Sequence, residues 1–267
     1  MLNANLLPYV SPPQIPLDLP LLGARPLSVF GPIVVVGIWL GLRRVHAYGR
    51  VHGLPADFVE RLAMRVLLVG FAVAHLVAMV FYHPERVIES PWILLDITSG
   101  IASTGGLLGA AIALALWGRH PQASRLRIAD MLVYGMVVGF TIGRVGCALV
   151  HDHPGIVTSS DAWMAVGPWP DGAYRYDLGL IELIGCTALA LWVTYRFDWR
   201  RAAPGRLSGW VAIGYGIFRF PLDALRVADR HWLGLTFAQW VALSLVAVGA
   251  WCLLRSQPST KAETSIA

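Results

Sequence analysis

Seven apolar stretches fill most of this chain, at roughly 27–42, 63–82, 95–117, 130–150, 177–195, 208–225 and 235–254, with short arginine-bearing loops between them. Each approaches the length of about 20 residues that a bilayer core demands. In hydrocarbon every backbone N–H and C=O must be satisfied within the span, and runs of this length do so as helices. Only 14% of the residues are charged and the mean hydropathy is +0.60, whereas soluble globular chains carry about 25% charged residues. The expected fold is all-α: a polytopic membrane protein of about seven transmembrane helices around a lipid-accessible cavity.

Arginine placement sets the expected orientation. Thirteen basic residues fall in the first, third and fifth loops and the C-terminal tail, from Arg43 to Lys261, against five on the opposite side: Arg25, Arg86, Arg175, Arg226 and Arg230. Cytoplasmic loops are the basic ones, so the C-terminus is expected inside and the N-terminus outside. The net charge of +5 then follows from topology, and no nucleic-acid partner is implied. Residues 1–26 lack a basic segment ahead of their apolar residues and are rich in proline; they read as a segment lying on the membrane surface, not as a cleaved signal peptide. The transmembrane domain covers 27–254. The loop 151–176, rich in Gly, Pro, Asp and Trp, suits a small head on the outer face, and 255–267 reads as a disordered cytoplasmic tail. Cys147, Cys186 and Cys252 show neither paired spacing nor a CxxC, so no disulfide framework or zinc site is expected.

Some residues do not belong in plain lipid anchors. Arg144 lies about two turns from the end of the fourth span, where an arginine costs about 3 kcal/mol to insert. Arg219 sits at similar depth in the sixth. Tyr215, Arg219, Asp223 and Arg226 recur at spacings of four, four and three and so share one helical face. An Arg219–Asp223 pair explains one arginine but not two. Two guanidiniums facing one cavity form a phosphate fork, and at that depth the phosphate is a phospholipid's. His75, Asp96, Ser103, Thr104, His151, Asp152, His153, Tyr176, Asp177 and Glu182 lie near the same level. His151-Asp152-His153 has no second group at ligand spacing, so no metal is expected. The small residues of Ser99–Ala110 permit close helix approach or a helix break, and Pro221 interrupts the sixth span's hydrogen bonding. Both features suggest a cavity between helices.

From about Phe30 to Leu254, the chain resembles the bacterial phosphatidylglycerol–prolipoprotein diacylglyceryl transferases in motif order and spacing. The similarity is carried by FGPI (Phe30–Ile33), AHLVAMVFY (Ala74–Tyr82), STGGLLG (Ser103–Gly109), GRVGCALVHDHPG (Gly143–Gly155), DLGLIE (Asp177–Glu182) and YGIFRFPLDALRVAD (Tyr215–Asp229). The resemblance implies a cofactor-free bacterial inner-membrane enzyme. It moves a diacylglyceryl group from phosphatidylglycerol to the lipobox cysteine of a prolipoprotein, forming a thioether and releasing glycerol phosphate. By position, Arg144 and Arg219 would grip the phosphate and Tyr215 would orient the head group. Asp152, Glu182 and Asp223 would hold the arginines or help the thiol lose its proton. Gly105, Gly106, Gly143, Gly146, Gly155, Thr104, Arg226 and His75 would line the substrate. The lipid and the signal-peptide region of the prolipoprotein are the implied partners. The chain departs from the family pattern with His75 for an arginine, Thr104 for a histidine, Cys147, Ala148 and Val150 for Asn, Phe and Asn, Asp152 for a glutamate, and Tyr176-Asp177 for His-Pro. Two other readings keep the phosphate site: a catalytically altered lipid-binding scaffold or transporter, and the same chemistry on another acceptor.

Overall fold

The computed structural model describes residues 7–10, 12, 15–19, 23–96, 99–227 and 231–256. The chain is mostly helical. Among the described residues, five helices are long and apolar enough to cross a membrane: α1 (Phe30–Val51), α2 (Ala56–Val77, extended to Tyr82 by the π-helical turn Ala78–Tyr82), α5 (Arg125–Val150), α6 (Leu178–Tyr195) and α8 (Phe237–Arg255). Two further helices match predicted spans. α4 (Ser103–Trp117) is apolar but short, and α7 (Arg206–Asp223) carries Arg219 and Asp223 on its last turns. A short α3 (Pro84–Glu89) lies between the π turn and α4.

The third predicted stretch is corrected at its start. Pro91–Leu95 is a 3-10 turn, Ala102 is extended, and helix begins only at Ser103, with 97–98 outside the described residues. Thr104, Gly105 and Gly109 are buried, which selects close approach over a break: a Cβ on Gly105 would stand 2.7 Å from the Val73 carbonyl oxygen of α2, and one on Gly109 2.7 Å from that of Val69. α1 meets α5 in the same way, where a Cβ on Gly37 would lie 2.6 Å from the Gly139 oxygen. Such small residues bring backbones together where lipid supplies no hydrophobic drive between helices. The predicted break at Pro221 is also corrected: α7 runs through it to Asp223. α7 in turn packs on α8, and α5 on α6.

The all-α expectation holds for the bundle, but three small antiparallel sheets lie outside it. β1 (Ile15–Leu19) pairs with β2 (Gly23–Leu27). The loop after α5 forms a sheet in the order β3 (Pro154–Thr158), β5 (Tyr174–Asp177), β4 (Ala165–Val166). β6 (His231–Trp232) pairs with β7 (Leu235–Thr236). Leu7 bridges to Val166, and Tyr9 stacks on His151 (4.5 Å) and Trp169 (4.8 Å), so this N-terminal stretch packs on the sheet that follows α5. The predicted tail lies outside the described residues from 257 onward.

Candidate functional site

Each site side chain is placed by a helix end. α5 starts at Ser124, whose hydroxyl accepts from the Arg127 N–H, and stops at His151, which adopts the left-handed region (φ 50°). Arg144 therefore sits near the C-terminal end of α5. α6 starts at Asp177, whose carboxylate caps the Leu180 N–H at 3.1 Å, so Glu182 lies just over one turn inside. α7 brings Tyr215, Arg219 and Asp223 down one face as predicted from spacing, but it ends at Asp223, so Arg226, expected on the same helical face, lies beyond the helix and bridges to Gly155. α8 starts at Thr236 with a capping box to Gln239.

These ends converge on Glu182, which is fully buried. Tyr215 donates to its Oε1 at 2.7 Å. Arg144 Nη2 lies 3.1 Å from Oε1 and Arg219 Nη1 3.5 Å from Oε2. Arg144 Nη2 also donates to Ser103 Oγ at 2.7 Å, and Arg219 Nη2 to Asp223 Oδ1 at 2.9 Å. Arg226 Nε is 3.9 Å from the same Asp223 oxygen, and the Thr236 hydroxyl donates to the other. Arg226 lies over the Tyr82 ring, and the Tyr82 hydroxyl is 3.4 Å from that of Thr104, next to Ser103. The contacts thus form a closed circuit through α4, α5, α6, α7 and the π turn.

The circuit is not saturated. Arg144 and Arg219 are each about 3% exposed, yet Arg144 Nε and Arg219 Nε have no hydrogen-bond partner among the described residues, and Arg219 Nη1 and Glu182 Oε2 meet only as an ion pair at 3.5 Å. Buried polar groups are normally paired, and a donor left unpaired costs about 1–3 kcal/mol. Directly against this layer, Val137, Phe140, Cys186, Leu189, Val211 and Tyr215 line an apolar cavity between α5, α6 and α7.

Other predicted residues are less central. Asp152 pairs with His153 and not with an arginine. His75 is set apart: its ring nitrogens face the carbonyls of Gly100 (2.9 Å) and Ile93 (3.2 Å) and tie the segment before α4 to α2. Gly105, Gly146 and Gly155 are packing positions, against the Val73 carbonyl, the Phe30 ring and the Tyr176 carbonyl respectively, while a Cβ on Gly143 would meet nothing within 4 Å and one on Gly106 only an ordinary contact at 4.0 Å. Thr236 and Phe140 were missed. The Thr-x-x-Gln signature opening an apolar run points to the first. The second, whose ring lies 4.8 Å from the Arg144 guanidinium, has no sequence signal.

Cys147, Asp152 and His153 bring a sulfur, a carboxylate and an imidazole within 4.8 Å of one another. Arg144 Nη1 donates to that sulfur at 3.4 Å and faces His153 Nε2 at 3.4 Å. A fixed positive charge therefore stands where a metal cation would bind.

The family model for prolipoprotein diacylglyceryl transferase matches residues 19–255. The chain belongs to that family. Among curated relatives bearing the name phosphatidylglycerol–prolipoprotein diacylglyceryl transferase, this family member is 28% identical to the protein of Aromatoleum aromaticum over 236 residues, 84% of this chain and 89% of the relative. It is 30% identical to that of Chromohalobacter salexigens over 234 residues, 83% of each. It is 28% identical to that of Methylobacillus flagellatus over 252 residues, 88% of this chain and 94% of the relative.

Proposed function

We propose that this protein transfers the diacylglyceryl group of phosphatidylglycerol to the lipobox cysteine of a prolipoprotein, in the signal-peptide region, within the bacterial inner membrane. The observation that carries this reading is the unsaturated pair Arg144 and Arg219, brought to one carboxylate from two helices. Phosphatidylglycerol is a phosphodiester with one negative charge, which two guanidiniums side by side can receive. As the thiol sulfur forms its bond to the glyceryl methylene, the C–O bond to phosphate breaks and the leaving glycerol phosphate gains a second negative charge. Guanidiniums already in place stabilise that developing charge without reorganising. Glu182, held by Tyr215, keeps the two like charges side by side, and Asp223 with Arg226 braces Arg219. The adjoining apolar cavity receives an acyl chain.

In this reading α1, α2, α4, α5, α6, α7 and α8 all cross the membrane. The end carrying β3–β5–β4 faces outward and the C-terminus faces the cytoplasm, as the arginine asymmetry supports. Residues 27–254 form the transferase domain.

The test is transfer from phosphatidylglycerol to a lipobox peptide by purified protein. Arg144→Ala and Arg219→Ala are each expected to lower kcat/KM by about 10²–10³, the scale of removing one charge-stabilising donor. Either variant at wild-type rate would remove the assignment.

A further inference from the structure

A thiol attacks as its thiolate, and a free cysteine has a pKa of about 8.5, so near neutral pH something must take its proton. The circuit around Glu182 is a poor source of that base. Both its carboxylates are held by arginines, and the Tyr215 hydroxyl is spent on Glu182. Three histidines stand near this level. His75 is buried with both nitrogens against main-chain carbonyls. His151 pairs through Nδ1 with Asp177 at 2.5 Å and lies under Tyr9 and beside Trp169. His153 differs. Its Nδ1 pairs with Asp152, its Nε2 points at Arg144 Nη1, and its side chain is 20% exposed, so it touches both the arginine layer and the surface.

We infer that His153, oriented by Asp152, is the general base that takes the proton from the acceptor thiol. This rests on the transfer reaction proposed above. With Nδ1 committed to a carboxylate, the lone pair belongs on Nε2, which faces Arg144 Nη1 at 3.4 Å; when that guanidinium turns to the lipid phosphate, Nε2 is released to act as the base. A thiol approaching that phosphate's glyceryl carbon therefore comes within reach of Nε2. The proton moves from sulfur to Nε2, and the sulfur pair forms the S–C bond. The C–O pair leaves on phosphate, and the imidazolium then loses its proton to water through its exposed edge. The charged and titratable groups facing the ring are Arg144 and Cys147 of α5, Glu182 of α6, and Asp152 on its own turn.

The test compares wild type, His153→Gln and His151→Gln across pH, with phosphatidylglycerol vesicles and a lipobox peptide. His153→Gln is expected to lose about 10²–10⁴ in kcat/KM near neutrality while binding the lipid normally. Its deficit should shrink as rising pH ionises the peptide thiol directly. His151→Gln should keep the wild-type profile, and imidazole should partly restore His153→Gly. A His153→Gln enzyme close to wild type near neutrality overturns the inference. So does a deficit equal at every pH and deaf to imidazole, which marks a structural role. If wild type transfers but His153→Gln matches it, only the base is lost; if wild type binds the lipid and transfers nothing, the transfer reading and the base fall together.

Discussion

α5 and α7 meet through buried polar groups at both ends, and the two meetings differ in kind. At one end Asp130, fully buried, accepts from the Gly205 N–H (2.7 Å), the Ser208 N–H (2.8 Å) and the Ser208 hydroxyl (2.7 Å). It closes the start of α7 from outside, after the left-handed Gly205 (φ 91°). Arg127 adds bonds from Nη1 to the Ala202 carbonyl (2.8 Å) and the Tyr48 hydroxyl (3.2 Å). Fourteen residues further along α5, about 21 Å at the helical rise, Arg144 meets Glu182 and Arg219 with donors to spare. The saturated cluster is a joint, and the unsaturated one can hold a ligand. Polarity in a span therefore says that something must be satisfied; only the hydrogen bonding says whether the protein does it alone.

The largest contrast is expected from Asp130→Ala. It strips the α7 start of its acceptors and should destabilise the fold by about 3 kcal/mol or more, since bonds to a charged group contribute about 1.5–3 kcal/mol each. Thermal unfolding in detergent measures this. The folded fraction should still transfer at close to wild-type rate, because distant sites act nearly independently. A collapse of transfer by folded Asp130→Ala would merge the two regions into one unit.

An effect of similar size, but one that an anion should partly reverse, is expected at Glu182→Gln. The shape is kept but two buried guanidiniums lose their shared countercharge, and breaking such a pair costs about 3–5 kcal/mol. An anion in the site should offset part of that loss. Added glycerol phosphate is therefore expected to raise the melting temperature of Glu182→Gln more than that of wild type. Equal shifts would mean that the anion does not enter between the arginines.

How much of this was legible in the sequence depended on the kind of signal. The apolar runs named the helices, because length and composition suffice for a span. Arg144 and Arg219 announced themselves by their insertion cost, and Tyr215, Arg219 and Asp223 by a helical period. Where the third run begins was not legible: Gly100 is held by His75 and Ala102 by the Ala74 carbonyl of α2, contacts that lie far along the chain. β3, β4 and β5 are too short for a period to show. Asp130 was missed in the sequence, because its partners, Gly205 and Ser208, lie far along the chain. His151 and His153 could not be ranked, because two residues' difference around a left-handed turn decides whether a ring meets Asp177 or Arg144.

The most direct measurement of the central claim is phosphatidylglycerol binding to purified wild type, Arg144→Ala, Arg219→Ala and Asp130→Ala, with uncharged diacylglycerol as the control lipid. The account predicts a preference for the phosphate-bearing lipid in wild type and Asp130→Ala that drops by at least about tenfold in each arginine variant, the loss of one charge-assisted contact. Arginine variants that keep the wild-type preference would contradict it.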